Sequence, residues 1–172
     1  MITIKPITEE HQFAFYDLSK RNTERLADFF PITIEKTDSL EKTLKSIKLY
    51  QLLAQQNDLH VFIIEDEQEK QAVGLVILKN IDKKVNKCEI VYFIDRYKEG
   101  NGYTSEAVKQ AIKKAFGSLG MKKIYCRIAI GDIAANKVAL KNGFELEGVL
   151  KKEFRISNGD IIDLNYYGLL NK

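Results

Sequence analysis

Few residues in this chain are of types that do covalent or metal chemistry, and their spacing narrows the choice further. The only two histidines, His11 and His60, lie far apart with no cysteine or acid beside them in a ligand pattern, which argues against a metal site. Cys88 and Cys126 fall inside apolar, strand-like runs with neither metal spacing nor a disulfide framework, and read as buried reduced thiols. Cys126 alternates with Ile124, Ile128 and Ile130 and has no nearby histidine to activate it, so it reads as packing. What remains is a loop and a carboxylate. Glu99-Gly100-Asn101-Gly102-Tyr103-Thr104 sets two glycines between the apolar run Ile90-Val91-Tyr92-Phe93-Ile94 and a helical stripe at Ala107, Val108, Ala111, Ile112, Ala115, Phe116 and Leu119. Glycine there permits positive φ and close approach of a ligand, while the first amides of the helix lack internal partners. Such a strand-to-helix loop suits an anion, phosphate most naturally, and a simple tight turn is the alternative.

The carboxylate is Glu89, on the same face of its strand as Val91 and Phe93. A carboxylate on a strand buried on both sides either has a partner or has a raised pKa, so two expectations follow. Glu89 is either a general base reached through a water or the partner of a lysine or arginine. Tyr92 and Tyr103 are candidate proton donors, with core packing as the competing reading.

These residues need a frame. With 172 residues, 45% hydrophobic and 30% charged, the chain is expected to be a single domain over 1–172 with its own core. No apolar run reaches membrane-spanning length, and Met1 to Pro6 lacks the apolar centre of a signal peptide, which points to a cytoplasmic protein without membrane partners. A net charge of +3 without a basic stripe argues against nucleic acid and mildly favours an anionic small ligand.

Met1 to Pro6 reads as a first strand, and Thr8 to Phe30 as a helical region in two pieces meeting near Arg21-Asn22, anchored by Leu18, Leu26, Phe29 and Phe30 and stopped by Pro31. Asp38 with Glu41 predicts a capping box opening a helix to about Gln56. His60 to Glu65, Ala72 to Ile81 and Lys87 to Ile94 are three strands joined by polar turns, an antiparallel meander. The helix from Thr104 to about Ser118 and the strand Lys123 to Ile130 then imply a crossover and locally parallel pairing. A short helix from Asp132 stops at Asn142-Gly143, and Leu146 to Ile156 and Ile161 to Leu169 form a hairpin around Asn158-Gly159. The fold class is α/β (α+β), with a mixed, mostly antiparallel sheet of about seven strands flanked by helices.

In this order the fragments resemble the GNAT superfamily of N-acetyltransferases, and within it the branch that acetylates ribosomal-protein N-termini at alanine, with spermidine acetyltransferases as close relatives. The resemblance spans essentially the whole chain and is strongest from Cys88 to Leu170. Glu89 to Ile94 looks like that branch's fourth strand. Glu99 to Thr104, followed by Ser105-Glu106-Ala107, looks like its pyrophosphate loop, Gln/Arg-x-x-Gly-x-Gly/Ala. Asn142-Gly143-Phe144-Glu145-Leu146-Glu147-Gly148, Asn158-Gly159, Asp163-Leu164 and Tyr167-Gly168-Leu169-Leu170 match its last helix end and hairpin. Other nucleotide loops fit less well: a Walker loop needs Gly-Lys-Ser/Thr where this chain has Gly102-Tyr103, and a dinucleotide fold places its glycines after the first strand.

The resemblance implies acetyl-CoA as co-substrate and no metal. The diphosphate would rest on the amides of Glu99, Gly100, Asn101, Gly102, Tyr103 and Thr104, and the pantetheine arm would run past Phe93 and Ile94 between fourth and fifth strands that are parallel and splayed. Asn136 would touch the same arm or simply face solvent on its helix; Lys137 and Lys141 are candidates to help hold phosphates, with solvated lysines on a helix face as the commoner case. Glu89 would be the base and Tyr92 a substitute acid, because the usual acids are missing: Ala135 replaces a serine of the ribosomal branch and Ala139 a tyrosine of the spermidine branch. The implied reaction is direct acetyl transfer to a primary amine within a ternary complex, most naturally a protein N-terminal α-amine. A polyamine or other small amine is the alternative acceptor and would need an acidic pocket. A CoA-binding protein with little catalysis is the alternative from another class. Relatives often pair through sheet edges or C-terminal strands, so the resemblance also raises a homodimer.

Overall fold

The computed structural model describes residues 1–172. One seven-stranded sheet forms the frame: β1 (Ile2–Pro6), β2 (His60–Asp66), β3 (Gln71–Asp82), β4 (Lys87–Ile94), β5 (Lys123–Ala129), β6 (Glu145–Arg155) and β7 (Ile161–Leu170), in the spatial order β1-β2-β3-β4-β5-β7-β6. Every neighbouring pair is antiparallel except β4 and β5, whose crossover passes through a helix as parallel pairing requires. Their ladder is short. It runs from Lys87 opposite Lys123 to Glu89 opposite Tyr125, and beyond Glu89 the two strands part. β4 stays paired with β3 as far as Ile94, so the gap opens only on its β5 side.

Helices cover both faces. α1 (Gln12–Arg21), α2 (Thr23–Leu26), α3 (Pro31–Lys36) and α4 (Leu40–Gln55) lie between β1 and β2 in sequence, and α5 (Tyr103–Phe116) and α6 (Ile133–Lys141) bracket β5. Strand alternation sorts the two cores. The larger joins Ile64, Val76, Leu78, Ile90 and Ile124 to Ala107, Val108 and Ala111 of α5, and the smaller joins Ile63 and Leu75 to Phe15, Leu18 and Ile47 of α1 and α4. Both faces of β4 are therefore covered, as its unbroken apolar run requires.

Three local expectations are corrected. Pro31 starts α3 instead of stopping a helix, because at the first helical position its missing N–H would have had no partner anyway. The cap of α4 is Ser39, which accepts from the Lys42 amide at 3.1 Å; Asp38 lies one residue too early and pairs with Lys20 and Lys42. Phe29 and Phe30 do not anchor the core as Leu18 and Leu26 do: Phe29 is 39% exposed, and both rings line cavities.

Candidate active site

The glycine loop follows β4 after one turn, Arg96–Lys98, capped by the Asp95 side chain, which accepts from the Tyr97 amide at 3.2 Å. Gly100 and Gly102 both take positive φ, +77° and +75°, and no atom lies within 4 Å of where a Cβ would stand. Left-handed backbone, and not crowding, is what selects glycine there. Gly102 is the N-cap of α5, whose first internal bond is from the Glu106 amide to the Gly102 carbonyl at 3.1 Å. The amides from Glu99 to Ser105 thus have no acceptor elsewhere in the chain. That is a nest of donors at the positive end of a helix.

The loop's side chains leave this nest clear. Glu99 forms an ion pair with Arg25, whose other terminal nitrogen donates to the Ile94 carbonyl at 3.1 Å. Asn101 turns back to the Lys98 carbonyl at 3.3 Å, and the Tyr103 hydroxyl donates to Asp66 at 3.1 Å. Above the loop lies a groove of about 650 Å³, bounded by β4, the loop and α6. Phe93, Ile94, Glu99, Gly100, Gly102, Tyr103 and Thr104 line it, as does Tyr92. Arg25, Lys98, Lys137 and Lys141 surround it with positive charge. Asn101 is not part of its wall, and neither is Asn136. Asn136 ties α6 to the sheet instead: its amide donates to the Ala129 and Asp132 carbonyls at 2.9 and 2.7 Å, and its oxygen accepts from Asn165 and Tyr167 at 2.8 and 2.7 Å.

At the gap between β4 and β5 the groove abuts a second, smaller chamber of about 120 Å³. Phe29, Phe30, Tyr92, Asp132 and Ala135 belong to both. Alternation along β4 sends Tyr92 to the α6 side of the sheet and Glu89 to the other, so the chamber passes through the sheet. Its roof joins the α2–α3 connection to the last hairpin: Phe29 stacks on Phe154 with ring centres 5.6 Å apart, and the Ser157 amide donates to Asp28 at 3.1 Å.

Glu89 lines this chamber, is 2% exposed, and accepts three hydrogen bonds from two residues. Arg127 donates Nε to Oε1 at 2.9 Å and Nη2 to Oε2 at 3.1 Å, and Asn80 donates Nδ2 to Oε2 at 2.6 Å. The carboxylate therefore has the arginine partner that one of the two expectations foresaw, and Oε1 keeps one acceptor position. Tyr92 donates its hydroxyl to the Ala135 carbonyl at 3.1 Å. Burial, reinforced by nearby Cys126, Asp132 and Tyr167, pushes its pKa well above the phenol range, so it stays protonated. Asp132 caps α6, its Oδ1 accepting from the Ala135 amide at 2.9 Å, and its other oxygen is free. Burial pushes both cysteine thiols up to about 12, which leaves neither as a nucleophile at neutral pH. No cluster of three or more His, Cys, Asp or Glu side chains is placed to hold a metal.

Several residues of the site escaped the sequence reading, among them Phe29, Phe30 and Asp132 as walls of both cavities and Lys79, Arg127 and Phe154 as walls of the chamber. Asp132 carried a faint signal as the residue that starts the short helix. Phe29 and Phe30 were legible only as apolar, and the others come from segments far from the loop and had no signal.

An acetyltransferase (GNAT) domain model matches residues 2–145. The ribosomal-protein-serine acetyltransferase of Escherichia coli is 27% identical over 168 residues, 96% of this chain and 90% of that one. The spermidine N(1)-acetyltransferase of Vibrio cholerae is 28% identical over 149 residues, 87% and 82% of the two chains. Among solved structures, the ribosomal-protein-S5-alanine acetyltransferase of Vibrio fischeri superposes with a TM-score of 0.92 at 22% identity, covering 99% of this chain and 93% of that one. A ribosomal L7/L12 α-N-protein acetyltransferase in complex with coenzyme A gives 0.88 at 23%, covering 98% and 93%.

Proposed function

The chain belongs to the GNAT acetyltransferase family and is an acetyl-CoA-dependent enzyme acting on an amine, and from that premise we propose that its acceptor is the α-amine of a peptide or protein N-terminus. The observation that carries this reading is the charge balance of the chamber: Lys79 and Arg127 stand against Glu89 and Asp132. A polyamine brings several charges into a desolvated site and needs a surplus of carboxylates to offset them. This chamber has no surplus. Its aromatic walls, Phe29, Phe30 and Phe154, instead suit one amine on a partly apolar chain.

Proton chemistry points the same way. At pH 7 about one α-amine in ten is neutral, against roughly one lysine-type amine in a few thousand, so an α-amine needs only weak assistance. In this reading the amides of the loop backbone fix the diphosphate, and the unpaired β5-side edge of β4 holds the pantetheine arm and polarises the thioester carbonyl. Acetyl-CoA supplies an activated acyl carbon: the amine nitrogen bonds to it, the C–S bond breaks, and sulfur leaves with the electron pair. Glu89 takes the proton the amine gives up, through a water at the remaining position on Oε1. A thiol of pKa about 8.5 leaves as thiolate without obligatory protonation, which makes the absence of the family's usual acids tolerable. Tyr92 assists the sulfur only by exchanging its bond to Ala135.

The test is thiol release. Acetyl-CoA should raise the melting temperature, and free CoA thiol should then appear with peptides bearing a free N-terminus and not with the same peptides blocked at Nα. Faster release with spermidine than with every free peptide would overturn the assignment in favour of a polyamine.

A further inference from the structure

The four charged side chains of the chamber are not equivalent. Glu89 and Arg127 satisfy each other, and Arg127 also reaches Glu153 at 3.2 Å. Lys79 and Asp132 make no ion pair, and the only side-chain bond of either is the one Asp132 makes in capping α6. They also sit at opposite ends. Asp132 borders the groove as well as the chamber, at the gap where an amine must meet the acetyl group, whereas Lys79 borders the chamber alone. Lys79 is the cross-strand partner of Glu89, so it shares the sheet face opposite to Tyr92.

Lys79 is half-buried, and neither a hydrogen bond nor an ion pair holds its ammonium. A ligand anion placed beside it would gain a charge-assisted contact, and a second ligand cation would be repelled. The free oxygen of Asp132 has the converse preference. The chamber is thus polar along its length, with its negative end at the acetyl donor and its positive end on the far face of the sheet.

Resting on the reading of the acceptor as an α-amine, we propose that the preferred acceptor carries a carboxylate within a few bonds of that amine, the amine being received by Asp132 and the carboxylate by Lys79. The same chemistry comes from two sources: an acidic residue at the first or second position of a peptide, or the carboxylates of a free acidic amino acid.

The wild-type enzyme tests this directly with acetyl-CoA and matched acceptors: N-terminally free peptides differing only as Glu against Gln or Asp against Asn at the first two positions, and free glutamate against glutamine α-amide, which carries no carboxylate. Acidic acceptors should be favoured in kcat/KM by about tenfold or more, as a charge-assisted contact predicts. Lys79→Met should bring the ratio of acidic to amide acceptors towards one, and Lys79→Glu should favour a peptide with lysine at that position. Whether peptides or free glutamate show the greater acidic preference identifies the source, and either supports the proposal. Equal rates for acidic and amide acceptors in the wild type would overturn it, as would a preference that survives Lys79→Met. If the variant fails to fold, the wild-type ratios decide alone. Failure of the underlying reading looks different: no free α-amine would be acetylated at all, whatever its neighbouring charge.

Discussion

The groove and the chamber share Tyr92, Asp132 and Ala135, yet they are made of different material. The groove's end at the loop is backbone: a run of amides without acceptors, set by two left-handed glycines at the start of α5. The chamber is side chain: rings and charges from the α2–α3 connection, β3, β4, β5, α6 and β6. Backbone donors tolerate changes in side chain, provided the torsions survive. Glu99 and Thr104 depart from the family's pattern, yet the loop keeps its geometry, with Glu99 drawn aside by Arg25. Side-chain sites have no such reserve, and each member holds its neighbours in place.

The contrast breaks first at Gly102. In Gly102→Asp the new carboxylate faces the diphosphate within a few ångströms, a repulsion of about 4 kcal/mol at an effective dielectric constant near 20. Acetyl-CoA affinity should fall roughly 1000-fold by calorimetry; the fold should persist by circular dichroism at a somewhat lower melting temperature, because a side chain at φ +75° is strained although no atom crowds it. Retained binding would mean that the diphosphate lies elsewhere.

Arg127→Met sharpens the other half. It leaves Glu89 buried without its partner, a loss of about 3 kcal/mol that should lower the melting temperature by roughly 6–12 °C. Acetyl-CoA affinity should stay within about threefold, because Arg127 lines only the chamber. A large loss of that affinity would show that the two regions are not separable.

The smallest effect belongs to Glu99→Gln. Arg25 and Glu99 are both substantially exposed, so their pair contributes about 1 kcal/mol at most. Acetyl-CoA should bind no more than about fivefold differently, and tighter, since a carboxylate is removed beside the diphosphate. Weaker binding would show that the Glu99 side chain takes part.

The same contrast explains what could be read in advance. Strand and helix periods over Lys87–Ile94 and Tyr103–Phe116 are local, so the strand, the loop and the helix were legible together, and with them the run of amides that the helix start leaves without acceptors. Phe29 was legible as apolar and was placed in the core, because hydrophobicity alone does not say whether a ring faces a core or a cavity. Asp38 and Ser39 are both good caps, and the choice between them turned on a single residue of helix phase. Asn136 was legible as a polar residue near the arm, but its partners Asn165 and Tyr167 arrive only with β7.

The sequence by itself determined the strand order along the chain, the left-handed glycines and therefore the helix start that gathers the amides, because each depends on torsions and periods within a few residues. The tertiary structure alone decided where β4 and β5 part, that Glu89 meets Arg127 across that parting, and that Lys79 and Asp132 stand unpaired at its two ends. Those facts depend on which strands become neighbours and on where their ladder stops, and no local stretch of the chain contains that information.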